Sequence, residues 1–169
     1  IEELYAQVDL ADLLKFIDFE KLTAAVDFPE HGARSLRPQF PELDGVPTKL
    51  VFGKQVFAMK KGRSVVPHGH NNMATAFLIL KGGFHGRHYD RLGEESDHFL
   101  IRPTIDRAFT VGEYSTVSDY KDNVHWFTAT DDVGYIFNIH VMDVNPGSGQ
   151  STGRVYLDPL GEKLADGTV

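Results

Sequence analysis

Two histidines that lie two residues apart, His68 and His70, are the residues of this chain best placed to do chemistry. The segment around them is typical of a β-strand, in which residues two apart project from the same face of a sheet. Two imidazoles on one face can bind a single metal ion together. A third histidine, His125, lies in another strand-like segment, 123–127. We therefore predict a metal site built from these three histidines.

Segments typical of short strands, separated by turn sequences, recur over residues 48–144. Short strands at that spacing, with no helical pattern between them, predict an all-β sandwich or barrel. Helical periodicity is confined to the N-terminus. We predict one domain over residues 1–169, with helices over 1–26, a β-barrel core over 48–144 and a C-terminal extension over 145–169.

The N-terminal helices are predicted to cover one face of the barrel, because their apolar stripe must be buried. A helix that binds a partner protein is the alternative. Asp18 is placed to cap the second helix. Residues 27–47, which are rich in proline, are predicted to form a surface loop. Residues 147–153 are predicted to form a flexible connector, followed by a last edge strand over 155–157.

The composition bears on the class of partner and on the compartment. The chain has 169 residues and a formal net charge of −7, which disfavours nucleic acid and anionic membranes as partners. No apolar run approaches the ~18–20 residues needed to span a bilayer. Cysteine is absent, so disulfides, thiolate ligands and cysteine nucleophiles are excluded. We expect a soluble protein and favour the cytoplasm; because the first residue is Ile1, a removed export signal stays open.

A longer pattern surrounds the two histidines. It consists of a glycine, five residues, His-x-His, four residues, a threonine, six residues and a glycine: Gly62, His68, His70, Thr75 and Gly82. The first cupin motif reads Gly-x5-His-x-His-x3,4-Glu-x6-Gly, so the chain resembles a cupin in which Thr75 replaces the glutamate. The second cupin motif matches less well, with His125 in its histidine position. The resemblance covers about residues 48–144 and implies an all-β cupin jelly-roll barrel.

The missing glutamate distinguishes the chain from part of that superfamily. Oxalate-degrading and germin-like cupins use three histidines and one glutamate, so the resemblance implies a different chemistry here. Cupins without the glutamate are similar to the thiol dioxygenases and the β-diketone-cleaving dioxygenases, which hold Fe(II) with three histidines. Three neutral imidazoles leave the metal's double charge uncompensated and several coordination positions open, which suits an anionic substrate. We expect a divalent metal, with Fe(II) favoured and Zn, Mn or Ni as alternatives.

The C-terminal half also resembles the thiol dioxygenases. In that family, the strand after the third ligand carries a Ser-x-His-x-Tyr array that contacts substrate and oxygen, and the matching residues here are Asn138, His140 and Met142. Thr75 lies where some members have a cysteine crosslinked to that tyrosine, so the crosslink cannot form. Independently of the family, strand alternation puts Asn138 and His140 on one face, where buried polar groups need partners. The alternative is that His140 is a structural histidine of the core whose hydrogen bonds are formed within the protein.

An arginine that lines the barrel is the natural partner for the carboxylate of an anionic substrate. Arg87 and Arg102 are the candidates, and strand alternation leaves open which of them points inward. A position on the outer surface is the alternative for each. The other predicted substrate contacts are Met73 and Met142.

The sequence thus predicts an Fe(II)-dependent dioxygenase of a small organic substrate, with His140, Asn138 and Thr75 as catalytic residues. A non-oxidative metal cupin, an isomerase or lyase using Zn, Mn or Ni, is one alternative. A cupin that binds a small molecule without catalysis is another. A homodimer is permitted by the apolar residues expected on the outside of the barrel.

Overall fold

The protein's structure is a computed structural model, which describes residues 2–39, 42–47, 49–159 and 161–169. Three short helices begin the chain: α1 (Glu2–Gln7), α2 (Leu10–Lys15) and α3 (Phe19–Thr23). Ten strands follow them: β1 (Arg34–Leu36), β2 (Gly53–Lys60), β3 (His68–Asn71), β4 (Met73–Lys81), β5 (Phe84–Glu94), β6 (Phe99–Phe109), β7 (Tyr114–Ser118), β8 (Val124–Ala129), β9 (Val133–Met142) and β10 (Gly153–Tyr156). Residue 48, where the predicted barrel begins, lies outside the described residues.

The strands form two five-stranded antiparallel sheets, with the orders β1-β2-β9-β4-β7 and β10-β3-β8-β5-β6. From β3 to β9 the chain passes from one sheet to the other at each connection, apart from the β5–β6 hairpin. Side chains on the inner faces of the two sheets therefore pack against each other. This arrangement confirms the predicted all-β fold, with helices only at the N-terminus of the described chain.

Large apolar side chains fill the space between the sheets on one side of the histidines. The buried residues of this core are Phe57, Met59, Phe77, Ile79, Phe84, Phe109, Val117, Phe127, Ala129 and Ile136. Burying one such side chain contributes about 1.5–3 kcal/mol relative to leaving it exposed. The core borders the predicted site directly, because the ring of Phe77 lies 5.0 Å from that of His125. The histidines are thus held against a packed interior.

The three helices cover the outer face of the first sheet. That face carries a second buried cluster: Tyr5, Val56, Ala58, Ala76, Leu78, Leu80 and Tyr135. The carboxylates of Asp9 and Asp18 each accept a backbone N–H three residues on, at 2.9 Å, so both residues cap helices. The cap at Asp18 is as predicted, and the two caps divide the helical region into short pieces. No helix among the described residues has the length and apolar character to cross a membrane.

The two glycines that frame the histidine pattern hold turns of the backbone. Gly62 and Gly82 have φ angles of 74° and 75°, in the left-handed region that disfavours side chains. A Cβ atom at Gly82 would also lie 2.7 Å from the carbonyl oxygen of Val133. The spacing of the pattern therefore reflects two turns that enclose β3 and β4.

Two edge strands differ from the prediction: β1 lies where the sequence predicts a loop, and β10 begins two residues before the predicted last edge strand over 155–157. β1 lies inside the predicted loop over 27–47 and pairs with β2. β10 begins at Gly153, inside the predicted connector, and pairs with β3. The two strands have three and four residues, too few for alternation to be recognised in the sequence. The second has a functional consequence, because it brings two further side chains beside the histidines.

Candidate metal centre

β3 and β8 bring the three predicted histidines together. His68 and His125 are directly opposite each other in the antiparallel pair, and His70 is two residues along β3 from His68. The ring centroids are 4.6 Å apart for His68 and His125, and 5.0 Å apart for each of the other two pairs. One ring nitrogen from each histidine lies within 4.8 Å of the other two. All three side chains are buried.

Hydrogen bonds to backbone carbonyl groups fix the tautomers of His68 and His125. The Nδ1–H of His68 donates to the carbonyl oxygen of Val66 at 2.7 Å, and the Nδ1–H of His125 donates to that of Asn123 at 3.0 Å. A carbonyl oxygen only accepts, so the proton lies on Nδ1 and the lone pair on Nε2. The Nε2 atoms of His70 and His125 are buried without a partner. This is the arrangement of metal-ligating histidines, whose second nitrogen donates to the protein.

Burial keeps the imidazoles neutral. It lowers the pKa of His68 to about 4 and that of His70 to about 3. The pKa of His125 is lowered well below its ordinary value, first by burial and then by the neighbouring histidines. Only a neutral imidazole has the lone pair that binds a metal ion. At neutral pH the three rings are therefore in the state that ligation requires.

The donor set fits a divalent metal ion. Three imidazoles directed at one point can bind such an ion, and imidazole suits Zn, Fe, Cu and Ni alike, so the set does not identify the metal. Among the described residues, no carboxylate belongs to this group of ligand atoms. The bound ion would therefore keep its full double charge, as the missing glutamate implies.

Thr75, which takes the place of that glutamate, lies behind His70 instead of facing a metal ion as a ligand. Its side chain is buried, and its Oγ1 lies 3.4 Å from Nδ1 of His70. A hydroxyl can donate or accept, and in the arrangement in which Nε2 of His70 ligates a metal ion, the Nδ1–H of His70 donates to Thr75. Thr75 thus supports the orientation of a histidine.

Replacing Thr75 with valine is expected to weaken metal binding about 10-fold while leaving the ligands in place. Valine keeps the shape of the side chain but removes the oxygen that accepts from His70, and the loss of such a partner reduces metal affinity by about 10–100-fold. The long contact of 3.4 Å places the effect at the low end. The measurement is a competition titration of Zn²⁺ against a coloured chelator.

The matched control for this prediction is Thr128→Val, on the outer face of β8, away from the three histidine rings. Thr128 is only partly buried, and replacing it with valine is the same chemical change as in Thr75→Val. It is expected to bind Zn²⁺ like the unaltered chain. Equal affinities for Thr75→Val and the control would show that the threonine does not position His70.

His140 and Asn138 lie on the inner face of β9, on the opposite sheet from the histidine cluster. His140 is opposite Thr75 in the pairing of β9 with β4. Its Nδ1–H donates to Oδ1 of Asn138 at 3.1 Å, and the same oxygen accepts from the side chain of Gln55 at 3.4 Å. Burial, reinforced by the charge of Arg154, lowers the pKa of His140. Its Nε2 therefore carries a lone pair that can accept a hydrogen bond.

Arg87 and Arg102, the predicted substrate contacts, do not line the space between the two sheets. Arg87 lies on the outer face of β5, with its guanidinium 6.0 Å from the centre of the Trp126 ring and Nε 3.6 Å from Asp106. Arg102 is exposed and pairs with Asp90 at 3.3 Å. The inner face of β5 is instead formed by the residues of the other parity, which pack against β8.

The two methionines mark the end of the barrel beside His140. Met73 and Met142 are opposite each other in the pairing of β4 with β9, one inward-facing pair beyond Thr75 and His140. Met73 is buried, whereas Met142 is more than half exposed. They are therefore placed at the rim of the barrel, and contact with a substrate stays a prediction for both.

Arg154 is the cationic residue at the site that the sequence analysis missed. It lies on β10 directly opposite His70, so the two side chains share a face of the sheet. Its guanidinium carbon is 5.8 Å from the centre of the Phe57 ring, and its charge lowers the pKa of His68, His70 and His140. The predicted edge strand begins at residue 155, one residue after Arg154, whereas β10 begins at Gly153.

His88 is a fourth histidine inside the barrel. It is fully buried, lies opposite His125 in the pairing of β5 with β8, and its ring centroid is 5.8 Å from that of His125. Its Nδ1 is 3.3 Å from Oγ of Ser115 and its Nε2 is without a partner. The signal in the sequence is that His88 has the same strand parity as the apolar Phe84 and the opposite parity to His85.

Two cavities differ in their bearing on the site. A cavity of about 10 Å³, with room for about one water molecule or ion, is lined by His68, His125, Arg154 and the aromatic residues of the core. A larger and more open hollow of about 380 Å³ lies between α1 and the strands β4 and β7. None of the three histidines lines the larger hollow, so we place the chemistry at the smaller one.

Comparisons with known proteins agree with this fold. No protein-family model and no curated protein matches the chain. Among solved structures, it is similar to a recombinant oxalate oxidase in complex with glycolate, with 16% identity, a TM-score of 0.52, and coverage of 85% of this chain and 63% of that one. It is also similar to an uncharacterized conserved protein with a double-stranded beta-helix domain from Klebsiella pneumoniae, with 10% identity, a TM-score of 0.51, and coverage of 81% and 94%.

A third similar structure is procruciferin, an 11S globulin from Brassica napus, with 10% identity, a TM-score of 0.47 and coverage of 62% of this chain. The chain spans 22% of the length of that globulin and 63% of the oxalate oxidase. At these identities the likeness concerns the fold alone. The chain has the cupin fold, with a buried cluster of three histidines inside it.

Proposed function

We propose that this cupin-fold chain is a metal-dependent dioxygenase of a small organic substrate, with Fe(II) held by His68, His70 and His125. One observation carries the proposal: ring nitrogens of three buried neutral histidines lie within 4.8 Å of one another, and no described carboxylate joins them. Three imidazoles leave coordination positions open for a substrate and for dioxygen. The resemblance of the sequence to three-histidine dioxygenases selects Fe(II) among the metals that imidazole accepts.

The chain's own residues would bind and orient the substrate. When bound, the metal ion supplies Lewis acidity and electron transfer to oxygen. His140 would accept a hydrogen bond from the substrate at Nε2, because its Nδ1–H is held by Asn138. Thr75 would keep the His70 ring in place. The aromatic residues beneath the site exclude bulk water from the reacting groups.

The test combines metal analysis with oxygen consumption. The full chain is loaded anaerobically with Fe(II), its metal content is measured, and oxygen uptake is followed with a panel of small thiols and β-diketones. We expect one iron per chain and substrate-dependent oxygen uptake. A chain that stays free of metal after this treatment would contradict the proposal.

A non-oxidative isomerase or lyase is the second candidate function. The donor set is compatible with it, because three imidazoles accept Zn and Ni as well as Fe. Substrate turnover that continues without oxygen, in chain loaded with one of these metals, would establish this function in place of the dioxygenase. Tight binding of a ligand without turnover under either condition would instead establish a binding protein.

A further inference from the structure

We propose that Arg154 forms an anion-binding subsite beside the three histidines and that the ligand it selects is a small carboxylate. The inference deepens the proposed function, on which the substrate role of that carboxylate rests. The subsite itself is a property of Arg154 and its surroundings and does not require the metal ion. The contacts of this side chain, its position and the space around it carry the inference.

Arg154 differs from most arginines of the chain in having no acidic partner. Five other arginines form ion pairs with aspartate or glutamate: Arg34, Arg87, Arg91, Arg102 and Arg107. Arg154 forms no ion pair with any residue that the structure describes, and its guanidinium lies near the face of the Phe57 ring. A half-buried guanidinium of this kind has its planar set of N–H donors free for a ligand.

The pairing of β10 with β3 aims this side chain at the site. Arg154 is opposite His70, and Tyr156 is opposite His68, so both side chains lie on the face that carries the histidines. The Tyr156 ring is 6.0 Å from that of His68 and is largely exposed. Arg154 therefore lies at the opening of the site, between the buried histidines and solvent, where a ligand enters.

The charges around the site favour an anion. The imidazoles are neutral, the glutamate of other cupins is replaced by Thr75, and no described carboxylate lies among the metal-ligating group. The positive charge of Arg154 is thus not balanced by an ion pair with any described residue. A carboxylate matches a guanidinium with two parallel hydrogen bonds, which gives both charge and direction.

The available space limits the size of the ligand. The cavity lined by Arg154, His68 and His125 is about 10 Å³ in volume, because aromatic side chains fill the barrel beneath it. A ligand can therefore place only a small group among the histidines while its carboxylate stays with Arg154 at the opening. A short carboxylic acid with one further atom that can bind a metal ion, such as a 2-hydroxy acid, has both the small group and the carboxylate.

The experiment titrates the full chain with glycolate, with and without one equivalent of Zn²⁺, which does not react with oxygen. Binding is followed by calorimetry and by the ¹H–¹⁵N signals of the arginine Nε–H groups. We expect the Arg154 signal to shift on titration, and we expect Arg154→Gln to weaken glycolate binding at least about 10-fold. Arg154→Lys, which keeps the charge but loses the planar donor pair, is expected to bind with intermediate affinity.

Arg102→Gln is the matched control, since it removes the same charge from an exposed position on β6, which β5 and β8 separate from β3, and it is expected to bind like the unaltered chain. Ethylene glycol, which lacks the carboxylate, is expected not to shift the Arg154 signal. An unshifted Arg154 signal, equal glycolate affinity in Arg154→Gln, or tighter binding of inorganic phosphate than of glycolate would each overturn the inference.

The two proposals fail separately. If the chain binds no Zn²⁺ but its Arg154 signal still shifts, the anion-binding subsite is supported and the proposed metal-dependent enzyme is contradicted. If the chain binds Zn²⁺ but glycolate does not shift the Arg154 signal, only the anion-binding subsite is contradicted. The signal of the unaltered chain gives this result even if Arg154→Gln does not fold.

Discussion

Replacing His125 with glutamine is expected to abolish metal binding at working concentrations. His125 is the only ligand contributed by the second strand of the site, and it is fully buried between the two ligands of β3 and the apolar core. Loss of a mere partner of a ligand costs about 10–100-fold in affinity, so loss of the ligand itself is expected to exceed about 100-fold. The measurement is metal content after dialysis against a fixed free Zn²⁺ concentration.

The same variant is expected to fold. The glutamine amide can donate to the carbonyl oxygen of Asn123, as the imidazole of His125 does at 3.0 Å, and it has a similar size. We expect the metal-free variant to differ from the unaltered chain by about 1–2 kcal/mol in the free energy of unfolding. Stability should respond differently to metal: at a free concentration 1,000 times its Kd, Zn²⁺ stabilises the unaltered chain by about 4 kcal/mol and the variant hardly at all.

His85→Gln is the control for this effect. His85 lies on β5, the neighbour of β8, but faces outward and contacts Asp106. The substitution His85→Gln removes a histidine from the same sheet without changing the cluster of three histidines. We expect His85→Gln to keep its full metal content. Retention of metal by His125→Gln, or equal loss in the control, would show that the three histidines are not the metal site.

The histidine cluster could be predicted because its determinants are local in sequence. Gly62 and Gly82 require turns at a fixed distance from His68 and His70, and the alternation of a strand places those two histidines on one face. His125 lies in a short strand whose other inward residues are apolar. For His125 to join the other two histidines, β8 had only to pair with β3. Such pairing between strands is expected in a compact β-barrel.

The choice of arginine could not be predicted, because it depends on pairing between distant segments. On β5, the faces that carry Arg87 and Phe84 are both mixed, so composition does not decide which one is buried. The structure decides it through Gly86, whose missing side chain admits the rings of Phe109 and Phe127. Arg154 reaches the site only because β10 pairs with the edge of β3; the sequence predicts an edge strand over 155–157 but not the strand with which it pairs.

Replacing Gly53 with alanine is expected to reduce turnover by the proposed enzyme about 100-fold without changing its metal affinity. Gly53 is opposite His140 in the pairing of β2 with β9, and a Cβ atom there would lie 2.0 Å from Nε2 of His140. The ring must therefore rotate away, which breaks its hydrogen bond with Asn138. A displacement of about 1 Å at a catalytic group can cost about 100-fold in rate.

Two measurements read the displacement independently of turnover. The Nδ1–H signal of His140 in ¹H–¹⁵N spectra is expected to shift or disappear, because Asn138 no longer accepts it. The free energy of unfolding is expected to fall by about 1 kcal/mol, from the rotated side chain and the lost hydrogen bond. Gly93→Ala is the matched control, since a Cβ atom there meets only Leu100 at 3.8 Å.

A double variant decides whether Gly53 acts through His140. In a chain that already carries His140→Ala there is no ring to displace, so adding Gly53→Ala is expected to have no further effect on turnover. If each substitution instead reduced turnover by its own factor in the double variant, the methyl group added by Gly53→Ala would disturb the site by a route other than His140. A Gly53→Ala chain with full turnover and an unshifted His140 signal would show that the ring does not need its observed position. In the expected case, the absence of a side chain at the start of β2 leaves space for the ring of His140, whose Nε2 can accept a hydrogen bond near the opening of the site.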